Sequence, residues 1–116
     1  MNSIRIAILA FSTFTLFACS SHASRVAAFC KGVDKYQVQL AGLQVDPTKP
    51  LIKKAAQAMG HLADIAPSDI KPAIEEEASA YRKWAKTGNN APLTQKTFSV
   101  ADSQVAAWLH LNCKGH

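Results

Sequence analysis

The side chains best suited to metal chemistry lie at the end of the sequence. His110, Cys113 and His116 follow one another at three-residue steps, and imidazole and thiolate groups are ligands for zinc and copper. Cys113 has a competing use, because in an exported protein it would pair with Cys30, and a disulfide sulfur is a poor metal ligand. We therefore predict no metal site.

A second group of side chains suggests haem binding. Haem in a helical protein takes an axial ligand from His or Tyr, and four side chains could provide one: Tyr36, His61, Tyr81 and His110. The two tyrosines also fall on apolar helix faces, where Tyr is common without any ligand, and the sequence has no haem attachment motif. We predict no cofactor, and keep a secreted carrier of haem or another apolar ligand as the alternative function.

His61, Asp64 and Ser68 are the residues closest to a hydrolytic arrangement. Catalysis would require them to converge on an oxyanion site. A solvent-facing pair and a Ser68 helix cap explain the same residues, and no G-x-S-x-G motif supports a nucleophile. We expect a protein that is not an enzyme.

Three lysines form the most unusual charge feature. Lys49, Lys53 and Lys54 crowd the start of a predicted helix, where the helix dipole disfavours cations. An ordinary solvated helix face explains them, and our alternative hypothesis is a patch for an anionic envelope component or an acidic protein partner. The net charge of +5 is too dilute for nucleic acid, and no recognition motif for it is present.

The N-terminal residues predict export. A basic start is followed by the uncharged apolar run 6–18, IAILAFSTFTLFA, which is shorter than the ~20 residues that span a bilayer. This order is typical of a signal peptide, which we assign to residues 1–18.

Two endings of the signal remain open. Leu16-Phe17-Ala18-Cys19 resembles the lipobox of bacterial lipoproteins, and the resemblance implies a lipid on Cys19 that holds the protein on a membrane. The other ending is Ser21-His22-Ala23, an A-x-A-like site that would release a free protein starting at Ser24. We favour lipidation. Either route removes Cys19 from thiol chemistry, so Cys30 and Cys113 are left to pair.

The rest of the chain predicts helices. After a tether at 19–25, the chain contains four amphipathic helical patterns. The first covers about 24–44, and the second begins at 47 or 48 and ends at 65. The third is capped by Ser68, and the fourth begins at 93 or 97 and ends at 112. Pro- and Gly-bearing segments separate them. We predict an all-α fold, a small antiparallel four-helix bundle closed by one disulfide, with the domain at 26–113 and a tail at 114–116.

A fainter resemblance concerns the mature part. The early Cys30, the stretch APSDIK at 66–71 and the closing VAAWLHLNC at 105–113 resemble small secreted two-cysteine helical proteins of actinobacteria. Such proteins lack an assigned activity, so the resemblance adds little on function. The expected function is therefore that of an exported, lipid-anchored envelope protein with a non-enzymatic binding or surface role.

Overall fold

The protein is built from four α-helices, described here for residues 21–116 of a computed structural model. They are α1 (His22–Val45), α2 (Lys49–Ile65), α3 (Lys71–Thr87) and α4 (Lys96–Asn112), with a short 3-10 helix (Ala91–Thr94) before α4. No strand occurs in these residues, which confirms the predicted all-α bundle. The predicted signal peptide and Cys19 lie outside the described residues. Within 21–116, no helix combines the length and apolarity needed to cross a membrane.

The helix boundaries match the sequence signals except at the starts of α1 and α3. Thr48 precedes α2 and Pro50 lies in its first turn, where its missing amide has no cost. Ser68 does not cap α3, so that prediction is wrong. Residues 67–70 instead form a turn in which the Pro67 carbonyl accepts hydrogen bonds from the Ile70 and Lys71 amides, and α3 begins at Lys71, two residues later than a Ser68 cap would place it.

Helix α1 extends further toward the N-terminus than predicted. Residues 22–25, which we expected in a tether, are helical and exposed. The predicted apolar face of α1 packs inward, but only Phe29 and Leu43 on it are buried. The other apolar residues of that face are half-buried against the core, so this helix is the least covered of the bundle on its inner side.

The core has two clusters, and the larger one surrounds the disulfide. Phe29 of α1 and Trp108 of α4 meet edge to face, with ring centroids 5.4 Å apart. The Trp108 indole donates a hydrogen bond of 2.8 Å to the Asp69 carboxylate in the turn before α3. Residues of all four helices complete this cluster, among them Met59, Leu62, Ile74 and Val105. We call this part of the molecule the disulfide end.

The smaller cluster lies at the opposite end of the bundle. Leu43 from the end of α1, Ile52 and Ala55 from the start of α2, and Trp84 from the end of α3 are buried together. Leu93 of the 3-10 helix packs against them. We call this part the Trp84 end. Helix α3 stops there at Gly88, whose φ of +73° is a left-handed conformation that glycine adopts without strain.

A glycine brings α1 and α2 close together. A Cβ atom placed on Gly32 would lie 3.1 Å from side-chain carbons of both Leu62 and Ile65. Glycine in a helix costs up to ~1 kcal/mol relative to alanine. At this position it allows the close packing, because a Cβ atom would require the Leu62 and Ile65 side chains to move by a few tenths of an ångström.

The disulfide joins the first helix of the bundle to the end of the last one. Cys30 of α1 and Cys113, directly after α4, are bonded with their Cα atoms 5.5 Å apart, which confirms the predicted pairing. Successive helices pack against each other from α1 to α4, and α1 touches α4 much less than it touches α2. The covalent bond therefore holds together the one neighbouring pair of helices that packing holds weakly.

We predict that replacing both cysteines, Cys30→Ala with Cys113→Ala, lowers the free energy of unfolding by about 4 kcal/mol. The bond spans a sequence separation of 83, and closing a loop of that size restricts the unfolded chain by about 4–5 kcal/mol. Urea unfolding followed by circular dichroism measures the difference. Adding a reductant should destabilise the unmodified protein equally and leave the double variant unchanged. A loss below ~1 kcal/mol would contradict this role.

Candidate functional sites

A cleft of about 350 Å³ lies between the four helices. Its floor is formed by buried residues of α2 and α3, namely Met59, Leu62, Ile74 and Glu77. Its rim is formed by exposed residues of α1 and α4, among them Gln37, Ala41 and Ala106. The cleft thus opens between α1 and α4, the neighbouring helices that touch least, and its volume falls at the lower end of the range for small-molecule sites.

Glu77 is the buried charged residue of the described structure. It is 5% exposed and lines the cleft together with Asp102 of α4. Burial, the hydrogen bond with Asp102 and the negative charge of that residue together raise the pKa of Glu77 to about 8, and burial contributes most. At neutral pH the Glu77 carboxyl therefore keeps its proton and donates it in a hydrogen bond to the Asp102 carboxylate.

Aromatic rings stand beside the two carboxyl groups. Tyr81 of α3 and Phe98 of α4 both line the cleft, with ring centroids 6.2 Å apart. Burial, followed by the nearby Glu77 and Asp102, raises the pKa of the Tyr81 phenol, so its hydroxyl remains protonated across the neutral range. The cleft therefore has a mostly apolar lining and one polar corner, which is formed by the Glu77 and Asp102 carboxyl groups. This is the usual composition of a ligand site.

A larger groove of about 1050 Å³ runs along the outer surface of α2 and α3. Its floor includes Ile52, Ala56 and Trp84. Four cations line it, two from each helix: Lys49, Lys53, Arg82 and Lys86. The lining residues include no carboxylate, so the positive charges are not neutralised within the groove. Such an arrangement attracts anions from solution.

The structure divides the three predicted patch lysines. Lys49 and Lys53 lie in the groove, four residues apart on one face of α2. Lys54 is exposed but does not line it. Arg82 and Lys86, which the sequence showed only as a basic cluster on another helix, complete the groove because α3 packs beside the start of α2.

The histidines proposed for metal binding have other partners. The Nδ1 atom of His110 lies 2.8 Å from the His116 carbonyl oxygen, and the Nε2 atom of His116 lies 2.8 Å from an Asp34 carboxylate oxygen. Cys113 is in the disulfide. In residues 21–116, no three metal-binding side chains converge. These contacts instead fasten the predicted tail at 114–116 to α1.

The four candidate haem ligands are dispersed. Tyr36 and His61 pack edge to face between α1 and α2, with centroids 5.8 Å apart. Neither lines the cleft, nor does His110, so Tyr81 is the one candidate found there. The hydrolytic group is also split, because Asp64 and Ser68 line a shallow depression near the start of α1 that does not include His61.

The polar corner of the cleft was missed by sequence reasoning. Glu75, Glu76 and Glu77 stand together near the start of α3, where acidic residues match the helix dipole, so the run by itself indicates a solvated helix start. Glu77, however, lies three residues after Ile74 and four before Tyr81, which places it on the predicted apolar stripe. Helical spacing could have distinguished it from its two exposed neighbours. Its pairing with Asp102 could not be predicted from the sequence, because it depends on how α3 packs against α4.

Comparison with known proteins gives no further guide to these sites. No protein-family model matches the chain, and neither a curated protein nor a solved structure shows significant similarity to it.

We predict that Glu77 makes stability depend on pH. Its pKa is about 8 in the folded protein against 4.5 for the free side chain, so the folded state binds more protons between these values. The contribution of Glu77 to the unfolding free energy is therefore full below about pH 4.5 and falls by about 3 kcal/mol between pH 5 and pH 8. Glu77→Gln, which cannot ionise, should abolish this part of the decline in urea titrations. The exposed Glu75→Gln is the control, and an identical pH profile for all three proteins would contradict the prediction.

Proposed function

We propose that the protein is an exported, lipid-anchored envelope protein that binds an anionic envelope polymer in its cationic groove. The observation that carries the proposal is the convergence of four cations from α2 and α3 on one groove whose lining has no carboxylate. A chain of phosphate or carboxylate groups would contact several of these cations at once. Each contact is weak alone, but a polymer makes many of them together.

Export is supported from two directions. The apolar run 6–18 and the lipobox-like Leu16–Cys19 are typical of bacterial lipoprotein signals. The Cys30–Cys113 bond is typical of proteins that mature in an oxidising compartment. A non-enzymatic role agrees with the dispersal of His61, Asp64 and Ser68.

The position of the groove favours a polymer over the anchoring membrane itself. Helix α1 begins at His22, shortly after Cys19, and its first turns belong to the disulfide end. A lipid on Cys19 would hold that end nearest the bilayer. The groove is built from the start of α2 and the end of α3, which belong to the Trp84 end. Its cations would then face away from the headgroups and toward the envelope layer above them.

We predict that neutralising the groove weakens polymer binding. The variant carries Gln at Lys49, Lys53, Arg82 and Lys86, and the ligand is long-chain polyphosphate. Since a cation near an anionic surface contributes about 1 kcal/mol, affinity should fall at least ~10-fold at low salt. Binding by the unmodified protein should itself weaken as salt screens the charges. Fluorescence titration of labelled polyphosphate measures both effects.

The control variant replaces Lys54 and Lys83 by Gln. Both are exposed on the same two helices but do not line the groove, so this variant should retain most of the affinity. The control removes two charges and the groove variant four, so a loss of binding free energy in the control about half that of the groove variant would show that only net charge matters and would overturn the groove. Stronger binding to anionic vesicles than to polyphosphate would identify lipid headgroups as the ligand instead.

We predict that the protein from its native envelope carries a lipid on Cys19. Intact mass spectrometry should show a diacyl or triacyl mass on a chain that starts at Cys19, and Cys19→Ala should release the protein from the membrane fraction. A mass that starts at Ser24 would show cleavage after Ala23 and a freely secreted protein.

A second candidate function is that of a carrier for an apolar ligand. The cleft between the helices supports it, because apolar residues of all four helices line one volume of about 350 Å³. The size of the cleft and the single lining tyrosine favour a small molecule over haem.

A further inference from the structure

We infer that the cleft binds a small apolar molecule bearing a protonated amine, with the ammonium group held by Glu77 and Asp102. The inference rests on the carrier function and names its ligand class. It does not involve the cationic groove, which shares no lining residue with the cleft.

The apolar part of the ligand would lie along the cleft floor. Met59 and Leu62 of α2 and Ile74 of α3 are each 3% exposed or less, and they form a continuous surface with Val105 and Leu109 of α4. Burying apolar ligand area here is favourable by about 25 cal/mol per Å². A cleft of this volume accepts an alkyl chain or a single aromatic ring.

The charge of the polar corner selects the head group. Glu77 keeps its proton near neutral pH and lies beside the negative charge of Asp102, an exposed residue of α4. The corner therefore pairs a buried carboxyl group with an exposed carboxylate. A carboxylate head group would be repelled, and a neutral hydroxyl would leave the charge uncompensated. An ammonium group supplies both the opposite charge and hydrogen-bond donors for the two carboxyl groups. Tyr81 and Phe98 line the same cleft, and aromatic rings attract cations.

The other helices offer no competing cation. Helix α1 contributes Gln37 and Gln44 to the cleft, which are neutral, and α2 contributes Met59 and Leu62. The remaining titratable groups in the lining are the Tyr81 phenol and His116. The Nε2 atom of His116 is held by Asp34 on α1. An ammonium ligand is therefore the missing positive partner of the carboxyl pair.

Binding should be coupled to the proton on Glu77. An ammonium beside the pair stabilises the ionised carboxylate, so the ligand lowers the pKa of Glu77 and releases its proton. Affinity for an amine should accordingly increase as the pH rises from about 6 toward 8.5. Alkylamines stay protonated over this range, so the change would come from the protein.

The test compares n-octylamine with n-octanol and octanoate by isothermal titration calorimetry on the whole protein. We expect octylamine to bind about tenfold more tightly than octanol at pH 8, octanoate not to bind, and the amine to release protons in buffers of differing ionisation enthalpy. The double variant with Glu77→Gln and Asp102→Asn should lose the preference for the amine but still bind octanol. Glu75→Gln should behave like the unmodified protein.

The results distinguish failure of the amine ligand class from failure of the carrier function itself. Equal binding of amine and alcohol would leave a carrier of apolar molecules but overturn the amine class. Failure of all three ligands to bind would overturn the carrier function as well. Circular dichroism and thermal unfolding establish that the double variant is folded, and octylamine binding to it with unchanged affinity would place the ligand elsewhere and refute the assignment.

Discussion

The Cys30–Cys113 bond determines how the four helices close into a bundle. Consecutive helices pack along their lengths, while α1 and α4 touch little and are joined by the covalent bond at one end. Without the bond, the small contact area between the first and last helices would have to offset the conformational entropy that the chain loses when they come together. The disulfide fixes that distance in advance, and the rest of the core can then form around Phe29 and Trp108.

Fixing α1 and α4 at one end also explains why a cleft exists. Near the bond the two helices are drawn together, and Phe29 fills the space between them completely, since it is fully buried. Further along α1, the inner side chains are only half-buried. The same constraint therefore produces a dense core at the disulfide end and an accessible cavity toward the middle. A buried carboxyl group such as Glu77 is tolerable in this region because it keeps its proton and has a partner in Asp102.

The sequence predicted the helices and the disulfide but not the sites. Apolar stripes repeat at three- and four-residue steps, and the predicted export would leave two cysteines far apart in the chain, so fold class and pairing could be predicted. The start of α3 was misplaced because a Ser before a helical pattern is a common cap, and nothing local shows that Pro67 accepts the first amide bonds instead. Both candidate sites depend on which face of one helix meets another. The groove joins Lys49 and Lys53 to Arg82 and Lys86 across some thirty residues of sequence, and the Glu77–Asp102 pair likewise needs two separate helices.

The two tryptophans give this protein a built-in optical readout. Trp108 lies in the cluster beside the disulfide, hydrogen-bonded to Asp69, and Trp84 lies in the other cluster, at the floor of the groove. The described residues contain one indole for each half of the core. With either ring replaced by Phe, the remaining emission reports on a single end of the bundle. The ends can then be followed separately as they loosen or unfold, without attaching a dye to so small a molecule.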